Sequence, residues 1–165
     1  MNLPMLAAFG PLLPNTVNNR AAGAIHREFD DTWRLPQWRM HVRTHALVTI
    51  GVPYVIGFTA AYPMGLTSVP ATNFQCIIGI APRTTLAASW EDLIVMGLCP
   101  DAVTTAAVPV DSSVEVILNG VSVIDDGTNS PVKTANSMGV ALEAILGAGA
   151  IDIMMYGCEV NIAAA

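Results

Sequence analysis

The sequence predicts a mainly β protein: a compact β-barrel or sandwich-like domain, residues 37–165, behind an extended N-terminal arm, residues 1–36. Three observations lead there. Short runs rich in β-branched residues recur from about residue 46 to the end, separated by Gly and Pro signals. No strand–helix–strand alternation appears, which excludes a doubly wound parallel sheet. The opening stretch, MNLPMLAAFGPLLPN, is apolar yet carries Pro4, Pro11 and Pro14, which fix φ and remove backbone donors. An extended segment with apolar side chains wants a surface to lie on.

The elements follow in order. From Gln37 to His45 polar and apolar residues alternate, QWRMHVRTH. This spacing predicts a strand with Trp38, Met40 and Val42 on one face and a basic outer face of Gln37, Arg39, His41 and Arg43. Residues 46–66 are long and uncharged enough to suggest a membrane span. However, Gly51, Pro53, Gly57, Pro63 and Gly65 break the run, so it reads as two buried strands joined by a turn. FQCIIGIAP, DLIVMGLCP and AVPVDSSVEVIL are further strand runs. Asn119-Gly120 between VEVIL and VSVI is a strong hairpin signal. The Ala- and Leu-containing stretch 134–146 has propensity for one or two helical turns, weakened by Gly139. MGVALEAIL and AIDIMMYG then read as the last two strands of a closed β-domain, joined by Gly147-Ala148-Gly149, with small residues permitting close backbone approach.

Composition narrows the function. Of 165 residues 53% are hydrophobic and only 12% charged, about half the charge of an ordinary soluble domain. The charges are also divided. Six of seven basic residues lie in the first 83 positions, against Glu28, Asp30 and Asp31, for a net +3. From residue 84 onward Lys133 alone faces ten acids, for a net −9. Such a split suits a basic segment meeting an acidic partner or the acidic body of a sister copy. The overall charge of −6 argues against a nucleic-acid partner. Neither a membrane span nor a secretory leader is expected. Cys76, Cys99 and Cys158 show no CxxC spacing, so they read as buried apolar residues in a reducing cytoplasm.

No reactive constellation is expected, and no catalytic, metal-binding or cofactor-binding residue is assigned. His41 and His45 would share a helix face, but their surroundings are strand-like, so exposed strand histidines are expected; His26 stands alone. Ser89 and Ser137 lack a nucleophile-elbow signature, and the glycines form no phosphate-binding pattern. Asp125-Asp126-Gly127 with Asn129 lacks the spacing of a calcium loop and reads as a turn. A small barrel enzyme or ligand-binding module would be signalled by Glu115, Glu143 or Glu159, with Glu143 and a histidine converging in one dry cavity.

Two passages look alike: CIIGIAPRTTLAASWEDLIVMG, with Gly79-Ile80-Ala81, and SMGVALEAILGAGAIDIMMYG, with Gly139-Val140-Ala141. Each ends in an aliphatic run with a glycine, Gly97 or Gly157. Over roughly residues 45–157 this pattern resembles the small capsid decoration, or cement, proteins of tailed bacteriophages; MGVALEAI is the nearer match. The resemblance implies a β-barrel-like virion protein made in the host cytoplasm. On the capsid exterior it would sit as a homotrimer and cement neighbouring major capsid protein subunits, with no catalytic residues or cofactor. Another virion component, such as a head-fibre base or minor tail protein, is the alternative within the same class.

Overall fold

The computed structural model describes residues 20–31, 33–44, 46–57, 65–67, 74–116, 122–127, 137–157 and 159–162. Among them there are eleven strands and no helix. They are β1 (Ile25–Phe29), β2 (Pro36–Arg43), β3 (Pro53–Gly57), β4 (Gly65–Thr67), β5 (Phe74–Ile80), β6 (Trp90–Thr104), β7 (Ser113–Val116), β8 (Val123–Asp125), β9 (Ser137–Ala141), β10 (Gly149–Met155) and β11 (Glu159–Ile162). The mainly β expectation therefore holds.

The strands close into two rings that share β6. In the first ring β2, β4, β3, β5 and the leading half of β6 pair in that order, and β6 returns to β2. In the second, the trailing half of β6 pairs with β8, β7, β9 and β10 in turn, and β10 returns to β6. Every pairing is antiparallel except β2–β4 and β6–β8, which hold the same place in each ring. The two rings are thus one five-stranded barrel built twice.

The repeat keeps a spacing of 60 residues at many points. Val48 and Thr85 form an isolated bridge, as do Val108 and Ile145. The amide of Gly51 donates to the carbonyl of Ala81, and that of Asp111 to Ala141. Ala81 donates to Val52, and Ala141 to Ser112. Ile80 faces Ile94, and Val140 faces Met154. The cores match as well. Val48, Ile56, Ala81, Leu93 and Val95 fill the first barrel, and Val108, Val116, Ala141, Ile153 and Met155 fill the second. Gly79 and Gly139, the glycines of the two similar passages, occupy equivalent points. A Cβ on Gly79 would stand 2.8 Å from Leu93 Cβ, and one on Gly139 2.6 Å from Met154 O. Neighbouring strands approach there too closely for a side chain.

Beyond the barrel interiors, Val55, Ile78, Ile80 and Ile94 belong to the same buried cluster as the second barrel's core. These residues point away from the first barrel's own interior, so its outer face packs on the second barrel. Full burial of such aliphatic side chains contributes about 1.5–3 kcal/mol each.

Several expectations change at this level. Residues 25–36, placed in the arm by the sequence, include β1, which pairs with β2 from Ile25↔Met40 to Phe29↔Pro36. Residues 1–19 lie outside the described residues. Across 137–146 the chain is strand and then loop, without helical turns, because Met138 and Ala141 are drawn into the sheet and core. The β9–β10 connection spans residues 142–148 rather than three residues, and β11 follows, pairing with β5. β7 and β8 form the expected antiparallel pair, while Asn119-Gly120 falls outside the described residues. Residues 58–64, the turn expected between the two buried strands, also lie outside them; β3 and β4 pair on either side.

Gly97 lies where β6 passes from one barrel to the other. Its φ is +90°, and a Cβ there would meet Pro36 O at 2.2 Å. The β2–β6 register shifts nearby, between Trp38 and Arg39. Gly57 has open space where its Cβ would stand. Gly97→Ala should therefore cost on the order of 3 kcal/mol, from left-handed strain plus the backbone clash, whereas Gly57→Ala should change stability by less than about 1 kcal/mol. Urea denaturation of the two variants checks the contrast.

Candidate functional site

The polar face of β2 is the most chemically dense place in the described residues. Gln37 and His41 are almost fully buried, at 1% and 3% exposure. The expected basic outer face is therefore an interior one. β1 lies beside β2 on one edge and β6 on the other, and both bring carboxylates to it. His41 Nδ1 and Asp92 Oδ1 are 2.7 Å apart, and the His41 ring stacks on Trp90 with centroids 4.8 Å apart. The expectation of exposed strand histidines fails for His41, because pairing of β2 with β6 places Asp92 directly opposite it. His26 is not alone either: its Nε2 lies 3.0 Å from Glu28 Oε1. His45 falls outside the described residues.

Two arginines complete the cluster. Arg20 Nη1 donates to Asp92 Oδ2 at 3.2 Å and also meets the His26 ring. Arg39 Nη1 lies 3.1 Å from Glu28 Oε2, while its Nε and Nη2 donate to Gln37 Oε1. Two guanidinium groups thus balance two carboxylates in a half-buried setting, where an unpaired charge would be costly. The Arg20 ion pair also ties the segment leading into β1 to Asp92 of β6.

His26, Glu28 and Asp92 each offer a ligand atom, all within 4.8 Å of one another. That spacing would suit a metal ion. Arg20, however, already brings a cation to Asp92 and His26, and each carboxylate of the cluster already has a guanidinium partner. The chemistry it supports best is structural: an ionic clasp between β1, β2 and β6.

Titration follows from this geometry. The His26 hydrogen bond, helped by Arg39, holds the Glu28 carboxyl below its ordinary range in spite of partial burial. Burial alone would raise Asp92, but the hydrogen bond from His41 and the charges of His26, His41 and Arg20 outweigh it, and the net direction is down. Elsewhere the causes run the other way. Burial, with Asp126 nearby, raises Glu115, and burial pushes the Cys99 thiol far above its usual range, leaving it protonated. Cys99 is thus the buried apolar residue expected; the Cys76 side chain and Cys158 are outside the described residues.

The other sequence candidates disperse. Glu143 is exposed and accepts from the Asp152 amide at 3.2 Å, whereas His26 engages Glu28 and Asp92 and His41 engages Asp92. Glu143 and a histidine therefore do not converge. Asp125 Oδ1 accepts from the Gly127 amide, the local bonding of a turn, and from Ser112 Oγ just before β7. Ser137 Oγ bonds Asp126, and Ser89 bonds backbone. Sequence reasoning missed Asp92, Glu28 and Arg20 because they come from three separate segments. The one available signal was the alternation that put Gln37, Arg39 and His41 on a common face.

A second polar group sits where the β5–β6 loop meets β6. Buried Glu91 accepts from Arg83 Nε at 2.8 Å and from Thr85 Oγ1. At the equivalent places of the second barrel stand Glu143, Ile145 and Ile151, so packing of Ile145 on the core holds the corresponding loop.

Comparison with models of known protein families, with curated proteins and with solved structures finds no match to this chain.

Asp92→Asn should destabilise the protein by on the order of 3 kcal/mol, since it leaves Arg20 and His41 facing a neutral group. Glu28 and Asp92 are carboxyls lowered on folding. Their contribution is complete above the unfolded carboxyl range near pH 4 and is lost as pH falls through their folded values. Denaturation midpoints measured from about pH 6 down to pH 3 should fall steeply in the wild type and less in Asp92→Asn.

Proposed function

We propose that this chain is a structural virion protein, a decoration or cement protein on the capsid exterior of a tailed bacteriophage. It works as a homotrimer that binds major capsid protein subunits and stabilises the contacts between them. The observation that carries this reading is the protein's outer surface. Among the described residues ten large apolar side chains are well exposed, with Leu86 at 73% and Leu146 at 98%. Only 12% of the chain is charged. A few exposed leucines are ordinary, but this number on a low-charge surface favours lasting contact with other proteins.

The polar cluster supports the same reading. Its charges neutralise one another and serve to hold the β1 hairpin against the first barrel. The hairpin in turn presents Ile25 and Phe29 to solvent, with the Arg27 guanidinium 4.8 Å over the Phe29 ring. Residues 1–19, uncharged and rich in Leu and Met, would extend this contact toward a neighbouring subunit.

Adding purified protein to capsid shells assembled without it tests the proposal. The expected result is saturable binding at a copy number commensurate with the shell lattice, counted by cryo-electron microscopy, and a higher shell melting temperature. Deleting residues 1–19 should remove most of that occupancy. Absence of binding would overturn the reading, and a copy number confined to a single vertex would favour a tail or fibre component instead.

A further inference from the structure

β1 lies outside both rings and, among the described residues, pairs only with β2. None of its residues belongs to either apolar core. Ile25 and Phe29 are 53% and 58% exposed, and the side chains that turn inward between them are His26 and Glu28. Beyond its backbone ladder and the Arg27 guanidinium over the Trp38 ring, the strand is held by charge. Arg20 meets Asp92, His26 meets Glu28 and Asp92, and Arg39 meets Glu28. The barrels are held differently. Their rings close through β2–β6 and β6–β10 without β1, around apolar side chains whose packing is indifferent to pH.

The charges come from every neighbouring element. β1 brings His26 and Glu28, and its lead-in brings Arg20. β2 brings Arg39, His41 and, next along the same face, Arg43. β6 brings Asp92, while Glu91 beside it is turned to Arg83 and Thr85. At the hairpin end, Asp30 accepts from the Trp33 amide, and Asp152 of β10 accepts from Trp33 Nε1 at 3.3 Å. Glu28 and Asp92 are thus the two carboxylates among the cations. Protonating both leaves arginines and histidines crowded around two neutral acids in a half-buried setting, where like charges repel. The fold favours both carboxyls as anions, so attachment is complete above the unfolded carboxyl range near pH 4 and weakens as pH falls below it.

We propose that the β1 segment is an acid-released strap: protonation of Glu28 and Asp92 frees residues 20–30 from β2 and β6 while both barrels stay closed. Release uncovers the backbone edge of β2 from Pro36 to Met40 and the polar face that carries Gln37 and His41. Nothing in this device requires a capsid.

Amide hydrogen exchange on the full chain, followed by nuclear magnetic resonance, tests this, with protection taken relative to an unfolded chain at the same pH. The Gly23 amide donates to His41 O and the His41 amide to Ala24 O, so these two report on the strap. The Gly51 amide donates to Ala81 O and the Asp111 amide to Ala141 O, so these report on the barrels. At about pH 6 all four should be protected. By about pH 2.5 protection at Gly23 and His41 should fall about a hundredfold, about tenfold for each charged hydrogen bond lost, to nearly that of an unfolded chain. Gly51 and Asp111 should stay protected by more than about a thousandfold. Glu28→Gln lies outside both cores and leaves the barrels folded; it should lower strap protection about tenfold already at about pH 6 and shrink the further fall in acid. Loss of protection at all four amides together, strap amides still protected at about pH 2.5, or a Glu28→Gln strap as protected as the wild type's would overturn the inference.

Discussion

β6 belongs to two barrels at once, so its 15 residues must satisfy different hydrogen-bonding neighbours in each half. From Trp90 to Gly97 the partner is β2; from Gly97 to Thr104 it is β10. A continuous strand can do this only if its backbone turns between the halves. The left-handed φ at Gly97 provides the change of direction. Because the shared strand is covalently part of both rings, the barrels are coupled through it, and the outer face of the first becomes buried against the second.

The second barrel repeats the first in topology but not in chemistry. Where the first barrel fixes its β5–β6 loop with Arg83, Thr85 and Glu91, the second has Glu143, Ile145 and Ile151 at the matching places. A buried ionic clasp and a buried aliphatic contact thus hold equivalent loops in equivalent positions. The backbone bridge is common to both, and either chemistry suffices once the backbone is closed. The two barrels also differ in charge, a near-neutral barrel being joined to an acidic one.

The polar cluster under β1 shows why a titratable group is not by itself a reactive one. Histidines, carboxylates and arginines converge there, and in a cleft such a group would suggest catalysis. Here the arginines sit among the carboxylates and neutralise them, and the histidines are oriented by the same contacts. Its physical consequence is a hairpin whose attachment depends on ionised carboxylates.

The sequence alone determined the class of fold and the character of the surface. β-branched runs between Gly and Pro signals have no stable alternative to strands, and a chain with so little charge cannot cover itself with polar groups. Even the internal repeat was legible in the Gly-Ile-Ala and Gly-Val-Ala passages, because close strand approach demands small residues at those points in both barrels. Tertiary structure decided the rest. Alternation in β2 gave the correct two faces, but only the arrival of β1 and β6 made the polar face an interior one. The spacing of charged residues along the chain could not reveal that Arg20, Glu28 and Asp92 meet, since long-range pairing in a closed sheet depends on register between segments up to 72 residues apart. For the same reason a single strand serving two barrels is invisible in its own sequence: β6 reads as an ordinary apolar run, and its double role is set by its neighbours.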